Sequence, residues 1–192
     1  MYTTRTTLLQ KIADCDQISW QEFYDCYHGL VRSVALKSGV PAADTDDIVQ
    51  NVMLGVCNRG NFLYSREKHG LFRTYLGGII RHKIGDYFRR NVSPPSDLCV
   101  AEDTDFENTY LDEYRCHIME LAISELREYV APEVFETFEL CFLRSLPDKE
   151  VAALTGVKPN TVTVRKQRCI EYLQKIIRRI NQYDPDLKLP PL

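Results

Sequence analysis

Residues 146–180 read LPDKEVAALTGVKPNTVTVRKQRCIEYLQKIIRRI and have the pattern of two helices joined by a tight turn. Asp148 opens a short first helix, and Gly156 supplies the turn. Pro159 starts a second, longer helix at a position where the missing N–H of proline costs nothing. The small side chain of Ala152 lets the two helices cross closely. This order predicts a helix-turn-helix, a motif whose second helix enters the major groove of DNA.

The second helix of this pair supplies the candidate DNA-contacting residues. Side chains near the start of such a helix reach base edges or phosphates; here these are Asn160, Thr161, Thr163, Val164, Gln167 and Arg168. Basic side chains neutralise phosphates; here these are Lys158, Arg165, Lys166, Lys175, Arg178 and Arg179. The alternative is a solvated amphipathic helix with a basic face. The glycine turn, the proline start and the basic charge together favour DNA binding.

The distribution of charge along the chain supports this interpretation better than the total does. The chain has 192 residues with 24 Lys+Arg and 27 Asp+Glu, and its net charge of −3 would not suggest a nucleic-acid-binding protein. Residues 66–90, however, carry 7 basic and 2 acidic side chains, and residues 151–180 carry 7 and 1. Residues 91–150 carry 4 basic and 15 acidic side chains. Two basic blocks therefore flank an acidic one.

Hydrophobic periodicity predicts an all-α protein of two small helical domains, the second containing the helix-turn-helix. Apolar residues recur at three- and four-residue steps over nearly the whole chain, as in amphipathic helices. Residues 93–108 lack this periodicity, are acidic and contain two consecutive prolines, which is the composition of a linker. The predicted organisation is a first domain at 1–92, a linker at 93–108, a second domain at 109–184 and a tail at 185–192.

The sequence lacks the patterns that are typical of several other classes of protein. No apolar run reaches the roughly 18–20 residues that span a bilayer, and the N terminus lacks the apolar region of a signal peptide. We therefore expect a cytoplasmic protein without membrane insertion. The 7 cysteines and 4 histidines are dispersed, without a second pair at zinc-site spacing. No glycine-rich phosphate loop is present. We predict no metal, no cofactor and no catalytic residue.

Three blocks of the sequence resemble the sigma-70 superfamily of bacterial RNA polymerase sigma factors. The blocks DTDDIVQNVMLGV (44–56) and GLFRTYLGGIIRHKIGDYFRR (70–90) resemble region 2 of the small extracytoplasmic-function (ECF) members. The block LPDKEVAALTGVKPNTVTVRKQR (146–168) resembles region 4 of the superfamily. The blocks stand in the family's order, with a linker between the two regions. The resemblance implies a non-catalytic protein that binds core RNA polymerase and promoter DNA, in the cytoplasm and on the nucleoid.

The resemblance also implies which residues bind polymerase and which bind the upstream promoter element. The helix of the first block docks on the largest polymerase subunit through Asp46, Asp47, Gln50 and Asn51. Carboxylates at the start of a helix also stabilise its dipole, and both roles can hold. The basic helix of the third block reads the minus-thirty-five element, through Lys158, Asn160, Thr161, Thr163, Val164, Arg165, Gln167 and Arg168.

The loop and long helix at 62–90 would open and hold the minus-ten element. Binding a single strand requires basic side chains along the backbone and aromatic surfaces for the bases. The residues assigned to this role are Phe62, Tyr64, Arg66, Lys68, Arg73, Arg81, His82, Lys83, Arg89 and Arg90. Further aromatic residues of this segment are available for stacking, but most of them are better explained as core residues: Phe72, Tyr75, Tyr87 and Phe88.

The sequence departs from the family at three places. His82 follows Arg81 where the family often has Asn, and Tyr75 stands where Trp is common. The recognition helix opens with Lys158-Pro159-Asn160 instead of the usual residues. The promoter sequence therefore does not follow from the resemblance. An anti-sigma partner is a further expectation.

Two other functions compete with this interpretation. An operator-binding regulator could use the same helix-turn-helix without polymerase, but it would leave the basic and aromatic segment 62–90 unexplained. A helical nuclease or hydrolase would need a His or carboxylate cluster at ligand spacing, which the acids at 44–47 do not have.

Overall fold

A computed structural model describes residues 17–57, 70–91 and 103–191 of the chain. These residues form helices and no strand, which confirms the predicted all-α class. The helices in this part of the chain are α1 (Gln17–Lys37), α2 (Thr45–Cys57), α3 (Phe72–Asn91), α4 (Asp103–Tyr129), α5 (Pro132–Phe138), α6 (Asp148–Thr155) and α7 (Pro159–Tyr183). Helix α5 continues directly into a π-helical turn at Glu139–Leu143. No helix among the described residues is both long and apolar enough to cross a membrane.

The chain divides into two compact units, an N-terminal unit (Met1–Tyr114) and a C-terminal unit (Arg115–Leu192). The division falls within α4, which begins at Asp103. Residues 103–108, which the composition assigned to the linker, are therefore helical. Residues 93–102 of that predicted linker lie outside the described residues.

The N-terminal unit is built around the apolar faces of α1, α2 and α3. Phe23 and Tyr27 of α1 are buried, and their rings lie 6.3 and 5.4 Å from that of Phe72, the first residue of α3. The first half of α4 also belongs to this unit, because Phe106, Tyr110 and Tyr114 are buried at four-residue steps along it. Steps of four residues place the three aromatic side chains on one face of α4. This face begins at Phe106, within the segment whose composition predicted a linker.

The C-terminal unit packs α5, α6 and α7 together, and the end of the chain packs onto it. Leu187 and Leu189 are almost fully buried. Arg115 Nε donates to the Leu187 carbonyl at 2.7 Å, and the Asn181 side chain bonds both the N–H and the carbonyl of Leu189, at 2.9 and 3.0 Å. The stretch predicted as a tail, up to residue 191, is therefore a folded part of this unit.

Candidate nucleic-acid interface

Helices α6 and α7 are joined by a turn of three residues whose geometry suits its sequence. Gly156 ends α6 with φ 69°, in the left-handed region that glycine adopts without strain, and its N–H bonds the Ala152 carbonyl. Pro159 occupies the first turn of α7, as the sequence predicted. Ala152 is buried in one cluster with Val151 and Val162, and Val157 packs against that cluster. The two helices therefore share a small apolar core close to the turn.

Asp148, the first residue of α6, ties that helix to α7. Its carboxylate accepts a hydrogen bond from Lys166 Nζ at 2.6 Å and another from Thr163 Oγ1 at 3.1 Å. The hydrogen bond from Lys166 holds the pKa of Asp148 below its usual value. Two side chains that the sequence assigned to DNA contact thus bond within the unit and fix α7 against the start of α6, although Thr163 is itself exposed.

Arg165 anchors the neighbouring side of α7 to α5. Its guanidinium Nη1 lies 3.2 Å from the Glu133 carbonyl and 3.2 Å from the hydroxyl oxygen of the buried Thr137. Arg165 itself is half-buried. These contacts give Arg165 a structural role that the sequence pattern did not indicate, because a flexible arginine side chain can turn inward or outward from the same backbone position.

The remaining candidates at the start of α7 are exposed. Val162, Cys169 and Leu173 are buried and mark the inward face of the helix. The exposed side chains on its other faces include Asn160, Thr161, Val164, Gln167 and Arg168, with Lys158 exposed just before the helix. Val164 is 61% exposed and adds an apolar side chain to this surface. This part of α7 therefore presents an exposed surface of polar and basic side chains around Val164.

The predicted polymerase-binding residues lie on the outer face of α2. Asp46, Asp47, Gln50 and Asn51 are all exposed. The apolar stripe of Ile48, Val49 and Val52 is buried on the opposite side. Leu54, one turn beyond Gln50, is 53% exposed and extends the outer face with an apolar side chain that the sequence reading had not singled out. The four polar residues are therefore accessible together on one surface.

Asp46 and Asn51 also have local partners on that surface. Arg32 of α1 lies 3.0 Å from the Asp46 carboxylate, and both side chains are largely exposed. Asn51 Nδ2 donates to the Asp47 carbonyl at 2.8 Å. An exposed ion pair of this kind contributes little to stability, so it leaves the acidic face available for a protein partner.

Among the residues that the sequence assigned to the minus-ten element, those that the structure describes lie along α3. Several of them pair with acidic side chains. Asp86 accepts a hydrogen bond from Arg89 and lies 3.1 Å from His82 Nδ1, so it brings these two candidates together. The hydrogen bond from Arg89 holds the pKa of Asp86 below its usual value.

Arg81 lies 3.9 Å from Glu107 of α4. Arg90 is exposed, and Arg73 and Lys83 are half-buried. Phe62, Tyr64, Arg66 and Lys68 lie outside the described residues.

The aromatic residues of α3 divide between the core and the surface. Phe72 is buried in the core. Tyr75, Tyr87 and Phe88 are half-buried, and the Tyr87 hydroxyl donates to Asp44 at 2.5 Å. That hydrogen bond raises the pKa of Tyr87. The contacts of Phe72 and Tyr87 agree with the interpretation of these residues as structural.

Two packing features of the N-terminal unit were not found from the sequence. Tyr110 of α4 lies so close to Gly77 of α3 that a Cβ at that glycine would be 2.6 Å from the ring, and its hydroxyl donates to the Arg73 carbonyl at 2.7 Å. The buried Glu113 accepts hydrogen bonds from Ser33 and Lys37 of α1. The sequence signal for the first feature was the position of Tyr110 four residues after Phe106, which places both rings on one face of a helix. No residue near Glu113 in the sequence indicates the second feature.

The comparison with known families bears on the N-terminal unit. Residues 23–93 match the Sigma-70 region 2 family, a range that contains α2, α3 and most of α1. No curated protein matches the chain. Within the described ranges, no three His, Cys, Asp or Glu side chains come together as a metal-binding group. Over this range, the N-terminal unit is similar to Sigma-70 region 2.

Proposed function

We propose that the protein is a sigma factor of the ECF type, which binds core RNA polymerase and directs initiation at promoters with minus-thirty-five and minus-ten elements. The observation that carries this proposal is the region 2 match over residues 23–93. It coincides with a compact helical unit that presents an exposed polar face on α2 and a series of basic side chains on α3. The protein would carry out no chemical step itself.

In this proposal the outer face of α2 binds the polymerase. Asp46, Asp47, Gln50 and Asn51 would form its polar part and Leu54 an apolar contact. A mixed surface of this composition is typical of a protein interface, where an apolar centre is surrounded by polar groups. The basic residues of α3, together with the aromatic residues of 62–64, would hold the minus-ten strand.

In the C-terminal unit, α7 would bind the minus-thirty-five element in the major groove. The exposure of Asn160, Val164 and Arg168 supports this role, and so do the inward contacts of Arg165 and Lys166. A base-reading helix needs a fixed position relative to its support, because a displacement of about 1 Å breaks directional hydrogen bonds. The acidic segment between the two basic blocks would keep the connector away from the duplex. An anti-sigma protein that controls the factor is part of the same proposal.

Initiation from a promoter library tests the proposal. The full chain is mixed with bacterial core polymerase and a pool of promoter sequences, and transcripts are sequenced. We expect specific initiation at a subset that shares two elements, and the absence of any specific transcript above core polymerase alone would contradict the proposal. Footprinting without polymerase separates the alternative: strong, specific duplex binding by the isolated chain would instead indicate an operator-binding regulator.

A further inference from the structure

Glu171 is an unusual residue for a helix that binds a phosphate backbone. Helix α7 runs over Pro159–Tyr183 and has Glu171 as its one acidic residue. Its six basic residues are Arg165, Lys166, Arg168, Lys175, Arg178 and Arg179. A carboxylate near DNA phosphates costs electrostatic energy, so its presence on a DNA-binding face calls for a compensating role.

Glu171 lies on the outward side of the helix. Asn160, Val164, Gln167, Glu171 and Lys175 follow one another at steps of three and four residues, and all are exposed. Steps of this length place side chains on one helical face. Cys169 and Leu173, two residues to either side of Glu171, are buried, which puts Glu171 near the middle of the exposed face.

The structure connects Glu171 to a candidate base-reading residue. Gln167 Nε2 donates a hydrogen bond to Glu171 Oε1 at 3.2 Å. A carboxylate accepts hydrogen bonds and cannot donate them, so this contact selects the orientation of the Gln167 amide with its nitrogen toward Glu171. One N–H of that nitrogen is used, and the second N–H and the Oε1 atom of Gln167 remain for another partner.

The remaining donor and acceptor of Gln167 match one base edge. In the major groove adenine presents the N7 acceptor and the N6 amino donor side by side, and Gln binds this pair through its N–H and its carbonyl oxygen. The flipped amide would place the two groups in the reverse order. A donor–acceptor pair favours adenine over a base that presents two acceptors, such as guanine, and a fixed amide orientation would keep the N–H toward N7 and the carbonyl oxygen toward the N6 amino group.

We propose that Glu171 is a positioning residue that fixes the amide of Gln167 to read an adenine in the major groove of the upstream promoter element. This inference rests on the proposed function, because it requires α7 to lie in the groove. The Gln–Glu pair is exposed in the absence of DNA, where such a pair contributes only a few tenths of a kcal/mol in general. Its effect is on the choice of base, since the amide orientation matters only once the groove is occupied.

The test is selection of duplex sequences by the holoenzyme. Core polymerase loaded with the full chain is presented with promoters randomised across the upstream element, and bound sequences are counted for the wild type and the variants Gln167→Ala, Glu171→Ala and Lys175→Ala. We expect the wild type to select adenine at one position, by roughly five-fold to a hundred-fold over guanine, the range of a good bidentate contact. Gln167→Ala should abolish that preference.

Glu171→Ala gives the result that a merely structural residue would not give. It should reduce the adenine preference at the same position by up to about two-fold, the size expected of one exposed side-chain pair. It should also raise the affinity for unrelated duplexes, because a negative charge is removed beside the phosphates. Lys175→Ala is the matched control: it should weaken binding to all sequences alike and leave the adenine preference unchanged. Equal thermal unfolding of the variants checks that the exposed substitutions leave the fold intact.

The outcomes separate this inference from the proposed function. Failure to form a holoenzyme, or selection of no sequence at all, would overturn both. Selection of a sequence whose base preferences are unchanged in Gln167→Ala and Glu171→Ala would overturn the inference alone. A cytosine preference that is lost in Glu171→Ala but kept in Gln167→Ala would also overturn the inference. Glu171 would then contact the cytosine amino group itself.

Discussion

Lys166 Nζ lies 2.6 Å from the Asp148 carboxylate, so a cation of α7 is bound to the first residue of α6. The two side chains are each about two-thirds buried, at 29% and 32% exposed, which reduces solvent screening of the pair. Thr163 donates to the second oxygen of the same carboxylate. The carboxylate thus holds two residues of α7, one turn apart, and restricts both sliding and rotation of that helix on α6.

Asp148→Asn should lower the stability of the C-terminal unit in a pH-dependent way. The hydrogen bond from Lys166 depresses the pKa of Asp148, so the stabilisation is present above the unfolded value and is lost as the pH falls through the folded value. We expect a loss of about 1 kcal/mol at pH 7, the general size of a charge-assisted bond at a partly exposed site. Urea unfolding followed by circular dichroism at pH 7 and near pH 3 measures it.

The control for this prediction is Asp186→Asn, a substitution at an exposed aspartate of the same unit. It should leave the free energy of unfolding within about 0.5 kcal/mol of the wild type at both pH values. A difference between Asp148→Asn and the wild type that is equally large at acid pH would mean that the carboxylate charge is not the cause.

Gly77→Ala should destabilise the N-terminal unit, whereas Gly78→Ala should not. A Cβ at Gly77 would lie 2.6 Å from the ring of the buried Tyr110, and a Cβ at Gly78 would meet no atom within 4 Å. Both substitutions gain the same helix propensity, up to about 1 kcal/mol. We expect Gly77→Ala to lose about 1–3 kcal/mol through overpacking and Gly78→Ala to gain up to about 1 kcal/mol.

Thermal and urea unfolding of the two alanine variants measure this difference. Equal stability of Gly77→Ala and Gly78→Ala would show that α4 does not pack on α3 at Tyr110. It would then remove the reason for including residues 103–114 in the N-terminal unit.

Arg165→Ala should lower the stability of the protein, whereas Arg168→Ala should lower initiation. Arg165 bonds the Glu133 carbonyl and the buried Thr137 hydroxyl, so its removal should cost about 1–3 kcal/mol of stability. Arg168 is exposed, and its removal should leave stability within about 0.5 kcal/mol. On promoters with a good upstream element, Arg168→Ala should instead weaken initiation by about 1–3 kcal/mol.

Unfolding curves and initiation assays on both variants check this division. An equal loss for Arg168→Ala on every promoter would make Arg168 a phosphate contact and not a base contact. Loss of stability in Arg168→Ala, or none in Arg165→Ala, would contradict the assignment of the inward and outward faces of α7.

The periodicity of the sequence predicted the helices well, because burial of an apolar stripe is a local property. It did not place every apolar side chain correctly: Leu154 of α6, expected to face inward with Val151 and Ala152, is 68% exposed. Gly156 and Pro159 placed the turn before α7 for the same reason: their backbone preferences hold in any context. The outward direction of Asp46, Asp47, Gln50 and Asn51 followed from the apolar stripe beside them.

Long polar side chains and distant contacts could not be predicted in this way. Arg165 and Lys166 turn inward because of Glu133, Thr137 and Asp148, which are distant in sequence. The start of α4 at Asp103 was hidden by its acidic composition, which also suits a linker. The burial of Phe106 and the packing of Tyr110 against Gly77 explain why that segment is part of a folded unit.

The outer face of α2, which we propose as the polymerase-binding surface, is the feature on which the whole proposed function depends. Asp47→Lys reverses one exposed charge of that face, and Glu120→Lys reverses an exposed charge on α4 as a matched control. We expect Asp47→Lys to weaken binding to core polymerase roughly ten-fold or more, because it places a like or unpaired charge in the interface. Promoter preference at saturating factor should be unchanged.

The most direct measurement is equilibrium binding of the full chain to purified bacterial core RNA polymerase, by titration of labelled protein. We expect a stable one-to-one complex that Asp47→Lys weakens and Glu120→Lys does not. No detectable complex with the wild-type chain, or a complex equally sensitive to both substitutions, would contradict it.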